Sequence, residues 1–135
     1  MDLHERIRQF LDGSPFAVVG VSRDRAKYGN KVLRCYLQNG RRAIPVHPVE
    51  KEIEGQAVFA NLAAIPEPVH AVSIITPSSV TERLVEEAAK LGIQHVWMQP
   101  GAESAAAVER AEALGLSVIS GGPCLLVLLG FREVE

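Results

Sequence analysis

The sequence predicts an α/β domain built on a parallel sheet. Short apolar runs rich in β-branched residues recur every 21 to 28 residues, and amphipathic helical patterns separate them. The runs are continuously apolar rather than alternating, as strands covered on both faces require. Alternation of strands and helices produces parallel strands with right-handed crossovers. We therefore predict a Rossmann-like, doubly wound sheet of about five parallel strands with helices on both faces.

Each predicted strand is one of these apolar runs. The stretch between residues 48 and 70 contains several prolines and fits no regular pattern, so we expect loops there, with one helical turn near Leu62. The five strands are expected at residues 16–21, 43–46, 71–75, 95–98 and 116–119.

Four helices are predicted from apolar residues at helical spacing. Asp2 and Glu5 are placed as a capping box for the first helix, and Ser79 and Glu82 are placed as one for the third. The second helix is expected over residues 30–39. The apolar stripes are Leu3, Ile7, Phe10 and Leu11; Val32, Cys35 and Tyr36; Val80, Leu84, Ala88 and Leu91; and Ala107, Val108, Ala111 and Leu114.

Length and composition limit the possible classes of protein. The 135 residues fit one domain, with an N-terminal helix over residues 1–13 and a core over 14–125. A net charge of −2 argues against indiscriminate nucleic-acid binding. Two cysteines without a paired framework fit a reducing compartment. No apolar run is long enough to span a bilayer. We therefore expect a soluble cytoplasmic protein without nucleic-acid or membrane partners.

The charge is unevenly distributed and points to an anion site. Residues 1–42 carry a net charge of +5, whereas residues 43–135 carry −7. The basic part includes the loop after the first strand and the start of the next helix, whose N–H groups and dipole favour an anion. The alternative is an ordinary solvated loop. The candidate phosphate contacts are Gly20, Val21, Ser22, Arg23, Arg25, Lys27, Gly29, Asn30 and Lys31.

The segments after the other strands supply further candidates. The first loop has neither a dinucleotide-binding nor a P-loop glycine pattern. After the second strand, His47 and Pro48 stand where NAD sites usually place an acidic residue, and Lys51 is a candidate phosphate contact. Thr76 and Pro77 follow the third strand, where the proline offers an apolar edge to an adenine. After the fourth strand, Gln99 is a candidate to line the ligand groove, and a role in a turn is the alternative.

Five motifs together resemble the stand-alone bacterial CoA-binding proteins. They are residues 18–22 (VVGVS), 28–32 (YGNKV), 44–48 (IPVHP), 52–55 (EIEG) and 96–101 (VWMQPG), and the likeness covers about residues 14–125. That family is similar to the N-terminal CoA-binding domain of the succinyl-CoA synthetase α subunit. Many members carry Asp-Arg-Cys near the end, whereas this chain has Gly122, Pro123 and Cys124.

The resemblance implies a role for each of these segments. It assigns the CoA phosphates to residues 20–23 and to Lys51, and it assigns the adenine end to Thr76 and Pro77. It implies that Met98 and Gln99 line the groove.

Three functions remain open. The first is binding of CoA or an acyl-CoA without catalysis of its own, with a protein partner or a homo-oligomer also compatible. The second is an enzyme or redox factor that uses Cys124 or His47 on the CoA thiol. The third is a regulator that binds a nicotinamide or adenine nucleotide. The histidines lack metal-ligand spacing, and no catalytic triad order is evident, so we expect neither a metal nor a catalytic residue.

Overall fold

A computed structural model of the chain describes residues 2–133. The strands and helices alternate along this part of the chain as the sequence predicts. The helices are α1 Leu3–Leu11, α2 Tyr28–Gln38, α3 Ser78–Lys90 and α4 Ala105–Ala113, with a 3-10 turn at Leu62–Ala64 and a π-helical turn at Leu126–Gly130. The strands are β1 Phe16–Val19, β2 Ala43–Val46, β3 Glu52–Ile53, β4 Gln56–Ala57, β5 Ala71–Ile74, β6 His95–Met98 and β7 Ser117–Ile119.

Five of the strands form one parallel sheet in the order β2-β1-β5-β6-β7. Strand β1 lies between β2 and β5, and its residue Phe16 pairs with Ala43 in β2 and with Ala71 in β5. Helices α1 and α2 pack on one face of the sheet, and α3 and α4 pack on the opposite face. Both faces are therefore buried, which explains the uninterrupted apolar runs. The predicted Rossmann-like sheet is confirmed.

The face that α1 and α2 cover is rich in aromatic side chains. The Phe10 ring meets Trp97 edge-on with centroids 5.2 Å apart, and Phe16 stacks on Tyr36 at 4.7 Å. The Tyr36 hydroxyl lies 2.6 Å from the Ser73 hydroxyl in the sheet, and both residues are fully buried. This pairing satisfies two polar groups that would otherwise destabilise the core.

Two predicted helix starts are wrong. Helix α2 begins at Tyr28 rather than at residue 30, because Lys27 already occupies the extended N-cap position. Helix α3 begins at Ser78, and its N-cap is Pro77, whose carbonyl oxygen accepts the N–H groups of residues 80 and 81. The Ser79 capping box is therefore absent from α3.

The cap predicted for α1 is half confirmed. Asp2 accepts a hydrogen bond from the Glu5 N–H at 2.8 Å, as predicted. The Glu5 carboxylate instead accepts from Arg8 on the next turn. The second half of the capping box is therefore replaced by an exposed ion pair along the helix.

The segment between β2 and β5 contains a hairpin that sequence analysis missed. Strands β3 and β4 pair antiparallel, and Glu54 and Gly55 form the turn with positive φ angles of 51° and 78°. The chain then runs beside β2, where the His47 N–H donates to the Phe59 carbonyl at 3.0 Å. The single helical turn expected near Leu62 is present. This segment thus forms a wall beside the outer strand β2.

The other outer strand, β7, is contacted by α1. Arg6 donates from Nη1 to the Val118 carbonyl oxygen at 3.1 Å. Both outer strands of the sheet are therefore covered by neighbouring parts of the chain. Among residues 2–133, no helix combines the length and the apolar character that crossing a bilayer requires.

Candidate functional site

A groove of about 300 Å³ lies at the carboxyl ends of β1, β2 and β5. Gly20, His47 and Thr76 follow these three strands, and α3 forms the opposite wall. Strands β2 and β5 flank β1 on opposite sides, so the strand order reverses direction at β1. The groove lies at this switch point, where such sheets bind ligands. The lining residues are Val19, Gly20, Val21, Val46, His47, Pro48, Ala60, Asn61, Thr76, Val80, Leu84 and Glu87.

Two glycines bring the start of α2 against the sheet. Gly20 has a φ of 100°, and a Cβ atom built on it would overlap the Ile75 carbonyl oxygen. A Cβ atom on Gly29 would overlap the Gly20 carbonyl oxygen. Gly20 is therefore required for backbone packing in the protein itself, a reason that differs from the close ligand approach inferred from the sequence.

The first loop, residues 20–27, joins β1 to α2 and is held by its own hydrogen bonds. The Ser22 hydroxyl oxygen accepts from the Asp24 N–H at 3.0 Å, and the Asp24 carboxylate accepts from the Ala26 N–H at 2.9 Å. No acceptor among residues 2–133 meets the N–H groups of residues 21–23. These groups and the uncapped start of α2 can receive an anion.

Several basic side chains near the first loop are paired with carboxylates. In each pair at least one of the two side chains is exposed, so the pair stabilises the fold only weakly. A ligand phosphate can therefore replace the carboxylate. They join Arg23 to Glu50 at 3.7 Å, Arg25 to Glu54 at 3.4 Å, and Lys31 to Glu133 at 3.9 Å.

Lys27 and Lys51 differ from these paired residues. Within the described residues, neither has a carboxylate oxygen within 4.0 Å, and both are exposed. Their charges are therefore available without breaking an ion pair. The structure therefore has less unpaired positive charge around the first loop than the sequence predicts. Carboxylates from distant positions in the chain pair with several of the basic side chains.

Asn30 and its neighbour Gly29 are buried and do not face solvent. The Asn30 side chain donates to the Ser22 carbonyl oxygen at 2.8 Å and accepts from Arg34 at 2.7 Å. Asn30 therefore holds the first loop from behind, so direct contact between its side chain and a ligand is not supported.

The His47 ring is held in a turn at the rim of the groove. Its Nδ1 accepts from the N–H groups of Val49 and Glu50, both at 3.0 Å. These bonds place the proton of the neutral ring on Nε2, because Nδ1 must accept. His47 and Pro48 thus contribute a hydrogen-bond donor and an apolar edge to the groove.

Thr76 lines the groove and Pro77 stands beside it. The Thr76 hydroxyl lies 2.9 Å from the Thr81 hydroxyl on the first turn of α3. Pro77 is exposed as the N-cap of α3. The sequence prediction therefore placed both residues at the correct edge of the sheet.

Met98 and Gln99 do not line the groove, contrary to expectation. Both are fully buried. The Gln99 Oε1 accepts from the Tyr28 hydroxyl at 3.0 Å and from the Leu125 N–H at 3.1 Å. The end of β6 is covered by the segment that follows β7, and a single sequence does not reveal that cover.

The two cysteines have different surroundings. Burial raises the pKa of the Cys35 thiol to about 11. Cys124 is partly exposed, and its sulfur lies 2.7 Å from the Tyr28 hydroxyl oxygen. Burial and the contact with Cys124 hold the pKa of Tyr28 above its usual range. No group of three or more metal-ligating side chains occurs in residues 2–133.

The wall that α3 contributes to the groove was not predicted from the sequence. Val80, Leu84 and Glu87 lie on one face of this helix, at spacings of four and three residues. A helix that begins directly after a candidate loop turns one face towards that loop, and this signal was present in the sequence. Ala60 and Asn61 were missed because their segment has no regular pattern.

A groove at the switch point of a parallel sheet, beside a loop with free N–H groups, defines a Rossmann-like ligand-binding domain. The family match then specifies the class further. The chain belongs to the CoA-binding domain family, whose model matches residues 14–130.

Several solved structures are similar to this chain. A conserved hypothetical protein from Pyrococcus furiosus has a TM-score of 0.81 and 33% identity, covering 86% of this chain and 99% of its own. A protein from Thermus thermophilus has a TM-score of 0.83 and 26% identity, covering 94% of this chain and 96% of its own.

A larger enzyme contains a similar domain. The dinucleotide-forming acetyl-coenzyme A synthetase 1 of Ca. Korarchaeum cryptofilum, in complex with phosphate and ADP, has a TM-score of 0.75 and 25% identity. The match covers 84% of this chain but 27% of the synthetase. The chain thus corresponds to about a quarter of that enzyme.

Proposed function

We propose that the protein binds CoA or an acyl-CoA in the groove at the carboxyl ends of β1, β2 and β5, without catalysis of its own. Family membership supports the class of ligand. The observation that carries the location is the groove itself, which lies beside the free N–H groups of the first loop. The sequence also allows an enzyme or redox factor acting on the CoA thiol and a nucleotide-binding regulator. The experiments proposed for CoA binding distinguish these two functions from it.

The first loop suits the phosphates of this ligand. The N–H groups of residues 21–23 and of Tyr28, the partly exposed first residue of α2, can surround one phosphate group, since they have no acceptor within the described chain. Lys27 and Lys51 add positive charge without first breaking an ion pair. A ligand with a diphosphate and a further phosphate has enough negative charge to use both features.

The walls of the groove suit the adenine end. Val46, Pro48, Val80 and Leu84 form apolar surfaces on both sides. Asn61 uses its side-chain oxygen to cap the 3-10 turn, accepting from the Ala64 N–H at 2.9 Å, and its amide nitrogen is left to donate. A flat base between apolar walls with a few polar neighbours is a common form of small-molecule site.

The polar groups that line the groove support binding rather than catalysis. The ring nitrogen Nδ1 of His47 is occupied by two backbone N–H groups, so it is not free to act as a base. Glu87 is the carboxylate among the lining residues, and the Thr76 hydroxyl is paired with Thr81. This arrangement lacks the nucleophile-and-base pairing that covalent catalysis uses.

Calorimetric titration with CoA tests the proposal, with NAD and ATP titrated in parallel. We expect CoA to bind and NAD and ATP to bind much more weakly. Ala60→Trp fills the groove and should weaken CoA binding about tenfold or more, a loss of about 1.4 kcal/mol. Ala106→Trp, on the exposed face of α4, is the matched control and should bind as the unchanged protein does.

Three results would contradict parts of this proposal. No heat with CoA would overturn the ligand class. Tighter binding of NAD or ATP would favour the nucleotide-regulator alternative. Unchanged CoA binding by a folded Ala60→Trp variant would show that the groove is not the site.

The partial exposure of Cys124 is the observation behind a second candidate, a redox role on the CoA thiol. The Cys124 thiolate would attack one sulfur of CoA disulfide, form a mixed disulfide and release the other CoA as a thiol after it takes up a proton. Incubation with CoA disulfide followed by mass measurement tests it. An adduct that persists in Cys35→Ala and disappears in Cys124→Ala supports the role, and no adduct excludes it.

A further inference from the structure

We infer that Arg34 is a positioning residue for the first loop: it fixes the loop that receives the phosphates without contacting the ligand itself. This inference rests on the proposed function. Arg34 lies in the middle of α2 with 4% of its surface exposed. A guanidinium buried to this extent must be hydrogen-bonded, because an unpaired buried charge is strongly destabilising.

The short hydrogen bonds of Arg34 go to neutral oxygens that control the first loop. Its Nε donates to the Asn30 Oδ1 at 2.7 Å, and its Nη2 donates to the Arg25 carbonyl oxygen at 2.7 Å. Its carboxylate contact is longer, since Glu133 lies 3.6 Å away and is mostly exposed. The guanidinium therefore serves mainly as a fork of donors with fixed geometry.

Arg34 also sets the orientation of the Asn30 amide. Arginine can only donate, so the atom of Asn30 that faces it must be the oxygen. The Asn30 nitrogen then points the other way and donates to the Ser22 carbonyl oxygen at 2.8 Å and to the Glu54 carboxylate at 3.3 Å. One arginine thus holds the first loop at residue 25 directly and at residue 22 through Asn30.

Glu54 closes this arrangement into a ring of four residues, in which Arg25 takes part through both its carbonyl oxygen and its side chain. Its carboxylate also lies 3.4 Å from Nε of Arg25. The ring joins the first loop, α2 and the hairpin. The Asp24 turn lies between the two anchor points, and the adjoining N–H groups of residues 21–23 have no acceptor within residues 2–133. A loop held in this shape before binding loses less conformational entropy when the phosphate arrives.

Four variants test the inference by CoA titration. Arg34→Met and Asn30→Ala should each weaken CoA binding about tenfold. Arg34→Met removes hydrogen bonds donated by a charged group, and Asn30→Ala removes the hydrogen bond to Ser22. The double variant should bind about as weakly as Arg34→Met alone, since Arg34 acts on residue 22 only through Asn30. Arg34→Lys should not restore binding, because an ammonium lacks the fork that reaches Asn30 and Arg25 together.

Hydrogen exchange supplies a readout that a purely structural role would not change. The amides of Asp24, Ala26 and Lys27, which donate hydrogen bonds within the first loop, should exchange faster in Arg34→Met, while the amides of β1 and β5 keep their protection. Arg110→Met, an exposed arginine paired with Glu86 on another helix, is the matched control and should alter neither measurement.

The outcomes separate this inference from the proposed function. If the unchanged protein does not bind CoA, the proposed function fails, and the exchange measurement still decides the role of Arg34. If a folded Arg34→Met variant binds CoA normally or keeps its loop protected, the inference is overturned. If Arg34→Met does not fold, Asn30→Ala and Arg34→Lys give the same comparison.

Discussion

The hydroxyl oxygen of Tyr28 lies 2.7 Å from the Cys124 sulfur, although 96 positions separate the two residues. Tyr28 has a single hydroxyl proton, which it donates to the Gln99 Oε1. The Cys124 thiol must then donate to the Tyr28 oxygen. Because Gln99 also accepts from the Leu125 N–H, these bonds join the start of α2, the end of β6 and the segment after β7.

Removing this hydroxyl is expected to cost little stability. In Tyr28→Phe, Gln99 keeps the Leu125 N–H and Cys124 reaches solvent, so the free energy of unfolding should fall by about 0.5–1.5 kcal/mol. Tyr36→Phe is the matched comparison, because it leaves the buried Ser73 hydroxyl without its partner and should cost about 1–3 kcal/mol. Urea denaturation measures both. Equal losses would contradict the difference in burial on which this prediction depends.

Alkaline pH is expected to destabilise the protein through Cys35. The folded chain keeps the thiol proton up to about pH 11, whereas an unfolded chain loses it near pH 9. The unfolded state therefore binds fewer protons over this range, and the free energy of unfolding falls as pH rises, by up to about 1.4 kcal/mol per pH unit. The stability is fully present below about pH 9.

Cys35→Ala provides the control for this pH dependence. Its stability should fall less steeply over the lower part of the range, before the tyrosines contribute. Burial raises the pKa of Tyr36 above its usual range as well, so its effect begins at higher pH. Urea denaturation at several pH values supplies the slopes. Identical slopes with and without the thiol would show that Cys35 does not cause the loss.

Gly20→Ala is expected to be far more damaging than Gly101→Ala. The two glycines have nearly equal φ angles, 100° and 96°, so alanine is strained similarly at both. At Gly101 no atom lies within 4 Å of the new Cβ, and the cost should be about 1–2 kcal/mol. At Gly20 the Cβ overlaps the Ile75 carbonyl, which adds about 1–3 kcal/mol more. Thermal unfolding of the two variants measures the difference, and similar values would mean that the backbone there adjusts freely.

CoA is expected to bind more tightly than dephospho-CoA, because Lys27 and Lys51 are not neutralised by carboxylates within 4.0 Å in the described chain. A well-made contact of this type contributes about 1.5–3 kcal/mol. The difference should shrink at high salt, where exposed charges are screened. Calorimetry with both ligands at low and high salt measures it. Equal affinities at low salt would mean that the additional phosphate faces solvent.

The sheet could be predicted from the sequence because its strands are buried on both faces. Every residue of β1, β2 and β5 is buried, and this burial produced the apolar runs. The hairpin could not be predicted in the same way, since its strands have two residues each and only Ile53 among them is buried. Its turn at Glu54 and Gly55 is the signal that was available.

The candidate site was predictable at the strand ends and less so beyond them. Gly20, His47 and Thr76 follow from the rule that parallel strands end at one edge of the sheet. The pairing of Arg23 with Glu50 and the burial of Gln99 depend on contacts between segments far apart in the chain. Such contacts leave no periodic signal, so they became visible only in the structure.

The coverings of the two outer strands also bear on aggregation. An open outer strand offers unpaired N–H and C=O groups to other molecules and so favours the growth of intermolecular sheets. Here the backbone of Phe59 forms hydrogen bonds beside β2, and the Arg6 side chain donates a hydrogen bond to the Val118 carbonyl oxygen of β7. A shortened version lacking α1 or the segment after β2 would lose this protection. Low solubility of a version lacking α1 would reflect both the exposed edge and the aromatic face that α1 covers, even with all five parallel strands intact.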